Sequence, residues 1–446
     1  MRNVIYIHFI FLICLFFYNC EKIFAPHSDS YVYETHKDPD APFVRDEWVD
    51  WIKDNNHPLE SLDSEDYTDL SYLDQFIEDK SIILLGEVAH GIAEQNKLRV
   101  RLIKYLHENH GFNVIAFESG LYDCYYTNKI IENLNPDEIL RNALYTFWRT
   151  TDLVDLADYI KQSRTSNNPI QLAGFDFHAT GTMSVSRPQY LKNMTMHIDS
   201  SFSEIIFKKD QMIVQRRWNI SFIDDYVVQN YDTLRVLYQE LYDIISNNVD
   251  LLKQYFDEEA IIAAKEIAIS ISKYIQSRHV PLSYVVRDEQ MAENIKYIKE
   301  DLFPGDKIII WAHNMHIQKD LEEVTILPYG GRYQTNMGNW LYKTYPDEMY
   351  SIGSLAYRGH INYGQVQDIE ITRDESIEAI LYQARKKYFF LDFSQQIDVD
   401  GNSWMFQPIP QTFIHRNNPC DIRYIPKNQY DAILFIDTVS EPAYVY

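Results

Sequence analysis

At 446 residues the chain is long enough to bury a large core, in one elaborated α/β domain or in more than one domain. Its 65 Asp and Glu residues outnumber 41 Lys and Arg and give a formal charge of -24, which argues against nucleic acid as a partner because backbone binding needs a basic surface. Of the four cysteines only Cys124 and Cys420 lie beyond residue 20, which excludes a disulfide framework. No Cys-x-x-Cys pair occurs, which excludes cysteine-ligated zinc or iron–sulfur sites.

The N-terminus has the pattern of an export signal. Arg2 supplies a positive charge, residues 4–18 form an apolar run dominated by Ile, Phe and Leu, and Cys20 follows. The run is shorter than the roughly 20 apolar residues of a spanning helix, and no later stretch approaches that length. Residues 1–19 are therefore predicted to be a signal peptide. The segment Phe17–Cys20 resembles a relaxed bacterial lipobox, which favours acylation of Cys20 over simple cleavage.

The signal predicts an exported protein of the bacterial cell envelope, lipid-anchored or otherwise periplasmic or secreted. Membrane contact is expected only through the N-terminal anchor. Residues 20–44 are mostly polar and show no apolar periodicity, which is typical of a flexible tether. The folded domain is predicted to span residues 45–446, and no pattern in it indicates an oligomeric state.

Buried strands dominate the first half of the predicted domain, after short helices at 48–53 and 70–77. Continuous apolar runs are typical of parallel strands that are buried on both faces. Such runs occur at residues 82–87, 114–118, 170–176 and 308–313, and later runs at 388–392 and 432–437 add strands. Between the first two runs, residues 92–110 have helical spacing and Gly111 is a stop signal, so this part is predicted to be a βαβ unit.

A long helical segment interrupts the strand pattern. From about residue 188 to 300 the sequence has no strand signal and shows helical periodicity, for example at 222–245 and 260–275. The predicted fold is therefore α/β, with a mostly parallel central sheet flanked by helices and a large helical insertion that caps the strand carboxyl ends.

Ionisable residues follow the apolar runs. Ligands bind at the carboxyl ends of parallel strands, because the loops and helix N-termini converge there. Each such residue taken alone is more simply explained as a cap or a loop residue, but their joint occurrence indicates a shared site. These candidates are Glu87, His90, Glu118, Asp176, His178, His313 and His316.

The available side chains favour water activation over a covalent acyl-enzyme. The sequence has no Gly-x-Ser-x-Gly elbow, and no catalytic-cysteine signature surrounds Cys124 or Cys420. Histidine with carboxylates and no covalent nucleophile fits general-base catalysis, in which imidazole takes a proton from water while acids orient it.

Four motifs resemble the erythromycin esterase family in order and spacing, from about Trp48 to Asp437. The motifs are Gly86–Gly91, Phe117–Gly120, Arg287-Asp288 before Met291–Asn294, and Trp311–His316. The resemblance implies hydrolysis of a macrolide lactone by an enzyme without a cofactor. Within the first motif, Val88-Ala89 replaces the small-plus-threonine pair often seen in the family, so any hydroxyl contribution from that position is lost.

The resemblance also implies a role for each matching residue. His90 would be the general base toward water, and Glu87 would orient His90 or the water. Glu118 would act as a second acid, and His313 would bind substrate or share proton transfer. Arg99 would balance these charges or polarise the carbonyl, with an exposed helix residue as its equally weighted alternative.

The remaining candidates are assigned to substrate binding. They are Asp176, His178, His316 and Asp288, of which Asp288 is more simply explained by pairing within the helical arm. The best-known resistance enzymes of the family act in the cytoplasm, whereas an exported protein acts outside it. The expected partner is therefore a small-molecule ester or lactone, whether a macrolide antibiotic or another compound.

Two other interpretations remain open. In one, His90, His313, His316 and the glutamates bind a divalent metal of a metal-dependent hydrolase, because histidine and carboxylate suit zinc or manganese. In the other, the protein is a haem- or iron-binding surface lipoprotein without catalysis, with His and Tyr as axial ligands.

Overall fold

The computed structural model describes residues 41–215, 220–327, 331–362, 364, 366–371, 373–413 and 420–445. The predicted signal peptide, the predicted acylation site Cys20 and most of the predicted tether lie outside the described residues. Among the residues described, no helix has the length and apolarity needed to cross a membrane.

A central sheet, a smaller second sheet and many helices make up the described chain. The strands are β1 (His57–Pro58), β2 (Ile82–Glu87), β3 (Phe112–Gly120), β4 (Gln171–Asp176), β5 (Lys307–His313), β6 (Thr325–Ile326), β7 (Gly331–Arg332), β8 (Met349–Asn362), β9 (Val366–Glu370), β10 (Tyr388–Asp392), β11 (Ile409–Phe413), β12 (Cys420–Tyr424) and β13 (Ala432–Val439).

The α-helices range from single turns to the 20 residues of the helix that begins at Glu258. They are α1 (Asp46–Asn55), α2 (Asp74–Ile77), α3 (Ala93–His110), α4 (Leu121–Ile130), α5 (Pro136–Ala143), α6 (Thr151–Ser163), α7 (Arg187–Thr195), α8 (Ser200–Val214), α9 (Ile220–Gln229), α10 (Tyr231–Asn247), α11 (Val249–Leu252), α12 (Glu258–Ser277), α13 (Ser283–Tyr297), α14 (Asn314–Ile317), α15 (Met337–Thr344), α16 (Ile377–Tyr382) and α17 (Pro426–Gln429).

The central sheet is mostly parallel. Its strand order is β1-β10-β13-β8-β2-β5-β3-β4, with β9 paired to β8. The strands from β13 to β4 in this order are parallel, whereas β1, β10 and β9 pair in the antiparallel sense. Every residue of β2 is buried, because apolar clusters cover both faces of the sheet. The predicted α/β class is thus confirmed; β6, β7, β11 and β12 form a separate antiparallel sheet.

Strand β8 was not among the predicted strands, although it lies beside β2 in the middle of the sheet. Ser351 and Ser354 interrupt its apolar pattern because their hydroxyl groups form hydrogen bonds, that of Ser351 to α14 and that of Ser354 to Arg99 of α3, whose Nη2 donates to it at 3.3 Å. The Ser351 hydroxyl donates to the carbonyl of Ile317 at 3.0 Å. The side chain of Asn314 donates to the carbonyl of Ser354 at 2.7 Å and accepts from its amide at 3.1 Å. These bonds fix α14 at the carboxyl edge of the sheet.

The described segment between β4 and β5 is helical and comprises α7 to α13, as predicted for the insertion. The helical periodicity at 222–245 corresponds to two helices, α9 and α10, which meet at Asn230. The Asn230 amide side chain bonds back to the carbonyl of Tyr226 at 2.9 Å, a local bond that competes with helix continuation. Helix α13 carries Arg287 and Asp288 to the strand ends.

Candidate active site

The strand register brings the predicted site residues to one edge of the sheet. Glu87 at the end of β2 lies directly opposite His313 at the end of β5. On the other side of β5, Gly120 of β3 lies opposite Asp176 of β4, and Glu118 precedes Gly120 by two residues. The polar side chains therefore converge at the carboxyl ends of four parallel strands.

A buried carboxylate holds the imidazole of His90. The Glu87 side chain is 1% exposed, and its Oε2 lies 2.5 Å from His90 Nδ1. Its Oε1 accepts from the indole N–H of Trp148 at 2.9 Å and from the indole N–H of Trp311. Because the ionised carboxylate can only accept, Nδ1 is the donor of this bond, and in that tautomer Nε2 is the nitrogen with the basic lone pair.

Arg99 is the counter-ion of Glu87. Its Nη1 lies 3.6 Å from Glu87 Oε1, its guanidinium carbon is 5.2 Å from the ring centre of Trp311, and the side chain is 1% exposed. Burial alone would raise the pKa of Glu87, but the interaction with His90, the charge of Arg99 and the hydrogen bond from Trp311 hold it below its usual value. Burial lowers the pKa of Arg99 to about 10, so the guanidinium is charged at neutral pH. Arg99 is therefore not an exposed helix residue.

An aromatic loop, Tyr145–Trp148, packs against His90. The ring of Phe147 is stacked on the imidazole, with centroids 4.0 Å apart and planes at 18°. Tyr145 stacks on the other side of Phe147 at 5.0 Å. The sequence reasoning missed this loop, since it lies more than fifty residues after the first motif and its one signal is a run of three aromatic residues within four positions.

Arg287 joins two further carboxylates. Its Nη2 donates to Glu118 Oε1 and to Asp176 Oδ2, each at 2.7 Å, and its Nε donates to Asp176 Oδ1 at 3.2 Å. Burial alone would raise the pKa of both carboxyl groups, but nearby cations hold both well below their usual range. These cations are Arg287 and His178 for Asp176, and His316 and Arg287 for Glu118. Arg287 belongs to a recognised motif but was not among the predicted site residues.

His316 is a second cation beside Arg287. Its Nδ1 lies 2.7 Å from Asp288 Oδ1, and its Nε2 lies 3.2 Å from Glu118 Oε1. Burial lowers the pKa of His316, but these two carboxylates outweigh burial and raise it to about 10. His316 is thus an imidazolium that donates from both nitrogens, so its 3.3 Å approach to Arg287 Nη1 is a contact between cations and not a hydrogen bond. Asp288 pairs with His316 and not within the helical arm.

The ring of His313 bonds to backbone groups, whereas the rings of the other three site histidines contact carboxylates. Its Nε2 donates to the carbonyl of Val88 at 3.2 Å, and its Nδ1 accepts from the amide of Met315 at 3.3 Å. Burial, together with the neighbouring imidazole groups of His90 and His316, lowers the pKa of His313 to about 3. The ring is therefore neutral, and it lies 5.7 Å from the ring of His90.

His178 contacts the carboxylate of Asp176, which also binds Arg287. Its Nδ1 is 3.1 Å from both oxygens of Asp176, which is itself fully buried. The side chain of His178 is 17% exposed. Across the residues that the structure describes, no three His, Cys, Asp or Glu side chains are grouped as ligands of a metal ion would be.

A strap near the C-terminus, Ser440–Val445, supports the loop beside His90. The amide and hydroxyl of Ser440 both donate to the carboxylate of Glu94 at 2.7 Å. The amide of Thr151 donates to the carbonyl of Ala443 at 2.9 Å, and the amide of Val445 donates to the carbonyl of Arg149 at 2.8 Å. The C-terminal strap therefore fixes the chain directly after the aromatic loop.

Gly91, the last residue of the first motif, has both a positive φ and no room for a side chain. Its φ is +76°, and a Cβ there would lie 1.9 Å from the carbonyl oxygen of Asn362. Gly111 has nearly the same φ, +72°, but a Cβ there meets nothing within 4 Å. Substitution of each glycine by alanine therefore separates the free-energy cost of backbone strain, present at both, from the cost of a clash, present only at Gly91.

We expect Gly91→Ala to lower the free energy of unfolding clearly more than Gly111→Ala does. The left-handed conformation alone costs a non-glycine residue about 1 to 2 kcal/mol, and Gly91 adds a backbone collision to that cost. Urea unfolding of both variants and the parent protein measures the difference. Equal losses in the two variants would show that the Gly91 turn tolerates a methyl group.

Comparisons with known proteins agree with the predicted resemblance. The family model for erythromycin esterase matches residues 107–439, which include Glu118, Asp176, Arg287, His313 and His316 and begin after the first motif.

Individual relatives extend the comparison beyond that range. The Bacillus subtilis (strain 168) protein YbfO, named as a hydrolase, is 28% identical over 88% of this chain and 91% of its own length. Erythromycin esterase type II of Escherichia coli is 24% identical over 70% of this chain and 77% of its own. A Bacillus cereus crystal structure shares the fold, with a TM-score of 0.76 and 19% identity over 91% of this chain and all of its own. Because the family model matches most of its length, the chain belongs to the erythromycin esterase family.

Proposed function

We propose that this hydrolase-family protein cleaves a carboxylic ester or a macrolide lactone by general-base activation of water. The observation that carries the proposal is the Glu87–His90 pair. A buried, ionised carboxylate 2.5 Å from Nδ1 leaves Nε2 as the basic nitrogen, which is the form that a general base requires.

In the proposed reaction, His90 takes a proton from water through Nε2 as the water oxygen attacks the carbonyl carbon. Glu87 stabilises the imidazolium that forms, as a buried acid does in other histidine-based hydrolases. Arg99 keeps Glu87 ionised. When the tetrahedral intermediate collapses, the imidazolium returns the proton to the leaving alkoxide, so the products are a carboxylic acid and an alcohol.

Arg287 and His316 are proposed to stabilise the oxyanion that forms on the carbonyl oxygen of the substrate. Arg287 and His316 are cations, held by Glu118, Asp176 and Asp288 before substrate binds. Preorganised positive charge is favourable where negative charge develops on the carbonyl oxygen, because no reorganisation is needed during the reaction. The three carboxylates are buried, so they are proposed to act by orienting the two cations.

The two remaining histidines are proposed to have different roles. His178, which is partly exposed beside Asp176, is suited to direct contact with substrate. His313 is neutral and both of its ring nitrogens bond to backbone groups, so a positioning role suits it better than proton transfer.

A macrolide remains one candidate substrate, with antibiotic resistance as the consequence. We also propose that the protein is exported and lipid-anchored, which would give it access to esters outside the cytoplasm.

We expect purified protein to hydrolyse at least one compound from a panel of p-nitrophenyl acetate, p-nitrophenyl butyrate and erythromycin, with a product one water heavier or split into acid and alcohol. Turnover should persist after EDTA treatment and gel filtration, because the proposed base and oxyanion donors are side chains. Mass spectrometry of the products and rates before and after chelation measure both points.

The same panel distinguishes the alternatives. Loss of turnover on chelation and its return with zinc or manganese would contradict the proposal and favour the metal-dependent hydrolase. No hydrolysis together with a Soret band on haem titration would contradict it in favour of the haem-binding protein.

A further inference from the structure

The hydrogen bond that His90 Nδ1 donates to Glu87 fixes one atom of the ring but not the plane of the ring. A single bond at Nδ1 lets the imidazole turn about the line between the two partners, and such a turn would move Nε2 away from a bound water. The face of Phe147 closes this degree of freedom, because its ring is stacked on the imidazole at 4.0 Å and 18°. The edge of Trp148 meets the imidazole at 5.5 Å and 85°.

We propose that Phe147 is a positioning residue that sets the plane of the His90 imidazole and so aims Nε2 at the attacking water. The inference rests on the proposed function for its catalytic consequence. The stacking geometry itself is independent of the substrate.

The aromatic loop is anchored strongly enough for this role. The Trp148 indole donates to Glu87 Oε1 at 2.9 Å, so the loop and the imidazole share one carboxylate. The Tyr145 hydroxyl donates to Asp176 Oδ2 at 3.2 Å, and its amide donates to the Ser119 hydroxyl at 3.4 Å. Phe147 thus lies between Tyr145, which bonds to Asp176, and Trp148, which bonds to Glu87. The C-terminal strap fixes the chain that follows.

The aromatic loop also links the position of His90 to the position of Arg287. Tyr145 bonds to the carboxylate that holds Arg287, and Trp148 bonds to the carboxylate that holds His90. A shift of the loop would therefore change the position of the base relative to the oxyanion cations. A displacement of about 1 Å can cost about 10²-fold in rate when reacting groups must be aligned.

The test compares Phe147→Leu with Phe147→Tyr on the ester that the wild type hydrolyses. Leu keeps an apolar side chain but removes the aromatic face, so we expect kcat to fall about 10- to 100-fold with KM nearly unchanged. Tyr keeps the face, and its kcat should stay within about threefold of the wild-type value. A rise in KM at constant kcat would overturn the proposal, because it would show that Phe147 contacts substrate instead of setting the base.

A matched control uses another histidine stack. Tyr255 stacks on His197 with centroids 3.8 Å apart and planes at 4°, in the helical insertion away from the site residues. Tyr255→Leu removes the same kind of contact and should leave kcat and KM unchanged. If it lowers kcat as much as Phe147→Leu does, the effect is a general loss of packing and the proposal fails.

A second readout does not depend on turnover. Selective ¹³C labelling of histidine, with His90→Asn for assignment, identifies the ring signals of His90. The face of Phe147 should shift the His90 ring protons upfield, and Phe147→Leu should move them downfield while Phe147→Tyr does not. Unmoved signals would overturn the positioning role even in an active enzyme. The expected shift in a protein without hydrolase activity would support the stack and contradict only the proposed function.

Discussion

His90→Asn is expected to lower kcat for ester hydrolysis by about 10²- to 10⁴-fold, which is the usual contribution of a general base. Asn is of similar size, and its amide can still donate to Glu87, so the buried carboxylate keeps a partner. Because the substitution removes the basic nitrogen and little else, KM should change much less than kcat. Steady-state kinetics on the wild-type substrate, with circular dichroism to verify folding, measures the effect.

The control for this variant is His110→Asn. His110 ends α3 and pairs with Asp74 at 2.9 Å, outside the two charged groups of the site. Its loss should leave kcat and KM as they are. Full turnover by folded His90→Asn would refute the proposed mechanism. Restoration of activity in His90→Ala by added imidazole would support it independently.

Arg287→Met is expected to lower the free energy of unfolding by about 3 to 5 kcal/mol at pH 7, because breaking a buried ion pair leaves charge without a partner. Glu118 and Asp176 would both lose a cation that lies 2.7 Å from their oxygens. Arg287 is 21% exposed, and His316 still contacts Glu118, so the lower part of this range is favoured.

The loss should depend on pH in a defined direction. Arg287 depresses the pKa of both carboxyl groups in the folded protein, so its contribution to stability is present above their unfolded pKa of about 4. In Arg287→Met those pKa values rise, and protonation removes the uncompensated charge as the pH falls. The stability difference between wild type and variant should therefore be full at pH 7 and shrink as the pH approaches and passes below about 4. Urea unfolding at several pH values measures it.

Arg187→Met is the matched control for that experiment. Arg187 forms a buried pair with Asp210 at 3.0 and 2.8 Å within the helical insertion. Both variants should lose stability for the same physical reason, but only Arg287→Met should also lose kcat in its folded fraction. Equal kcat in both variants would contradict a role for Arg287 in the reaction. An Arg287→Met protein as stable as wild type at pH 7 would contradict the ion-pair geometry.

The parallel strands could be predicted because burial on both faces demands aliphatic residues in succession, as in β2 and β5. Strand β8 has the same burial but escaped prediction, since Ser351 and Ser354, whose hydroxyl groups bond to α14 and to Arg99 of α3, replace the expected aliphatic side chains. Pattern reasoning detects elements that pack by apolar area. It does not detect a strand whose central residues serve as hydrogen-bonding partners for a neighbouring helix.

The carboxylates Glu87, Glu118 and Asp176 could be predicted for a similar reason, because each ends or follows a recognisable strand, whereas Arg287 lies on helix α13 and was missed. The burial of Arg99 could not, since α3 buries polar residues such as Gln95 and Asn96 as well as apolar ones, and periodicity then no longer marks the inner face. Phe147 could not be predicted either. Its contact with His90 joins two segments that only the finished fold brings together.

The C-terminal strap has a consequence for the timing of biosynthesis. Glu87, His90 and the aromatic loop leave the ribosome early, because chains emerge from the N-terminus. The residues that bond to Arg149 and Thr151 are made long after the aromatic loop, as is β13, which lies between β8 and β10. A chain that has not yet reached β13 can therefore pair β8, β2, β5, β3 and β4, but it lacks the bonds that fix the segment after the aromatic loop. Hydrolytic activity is therefore expected only after the strap has been synthesised.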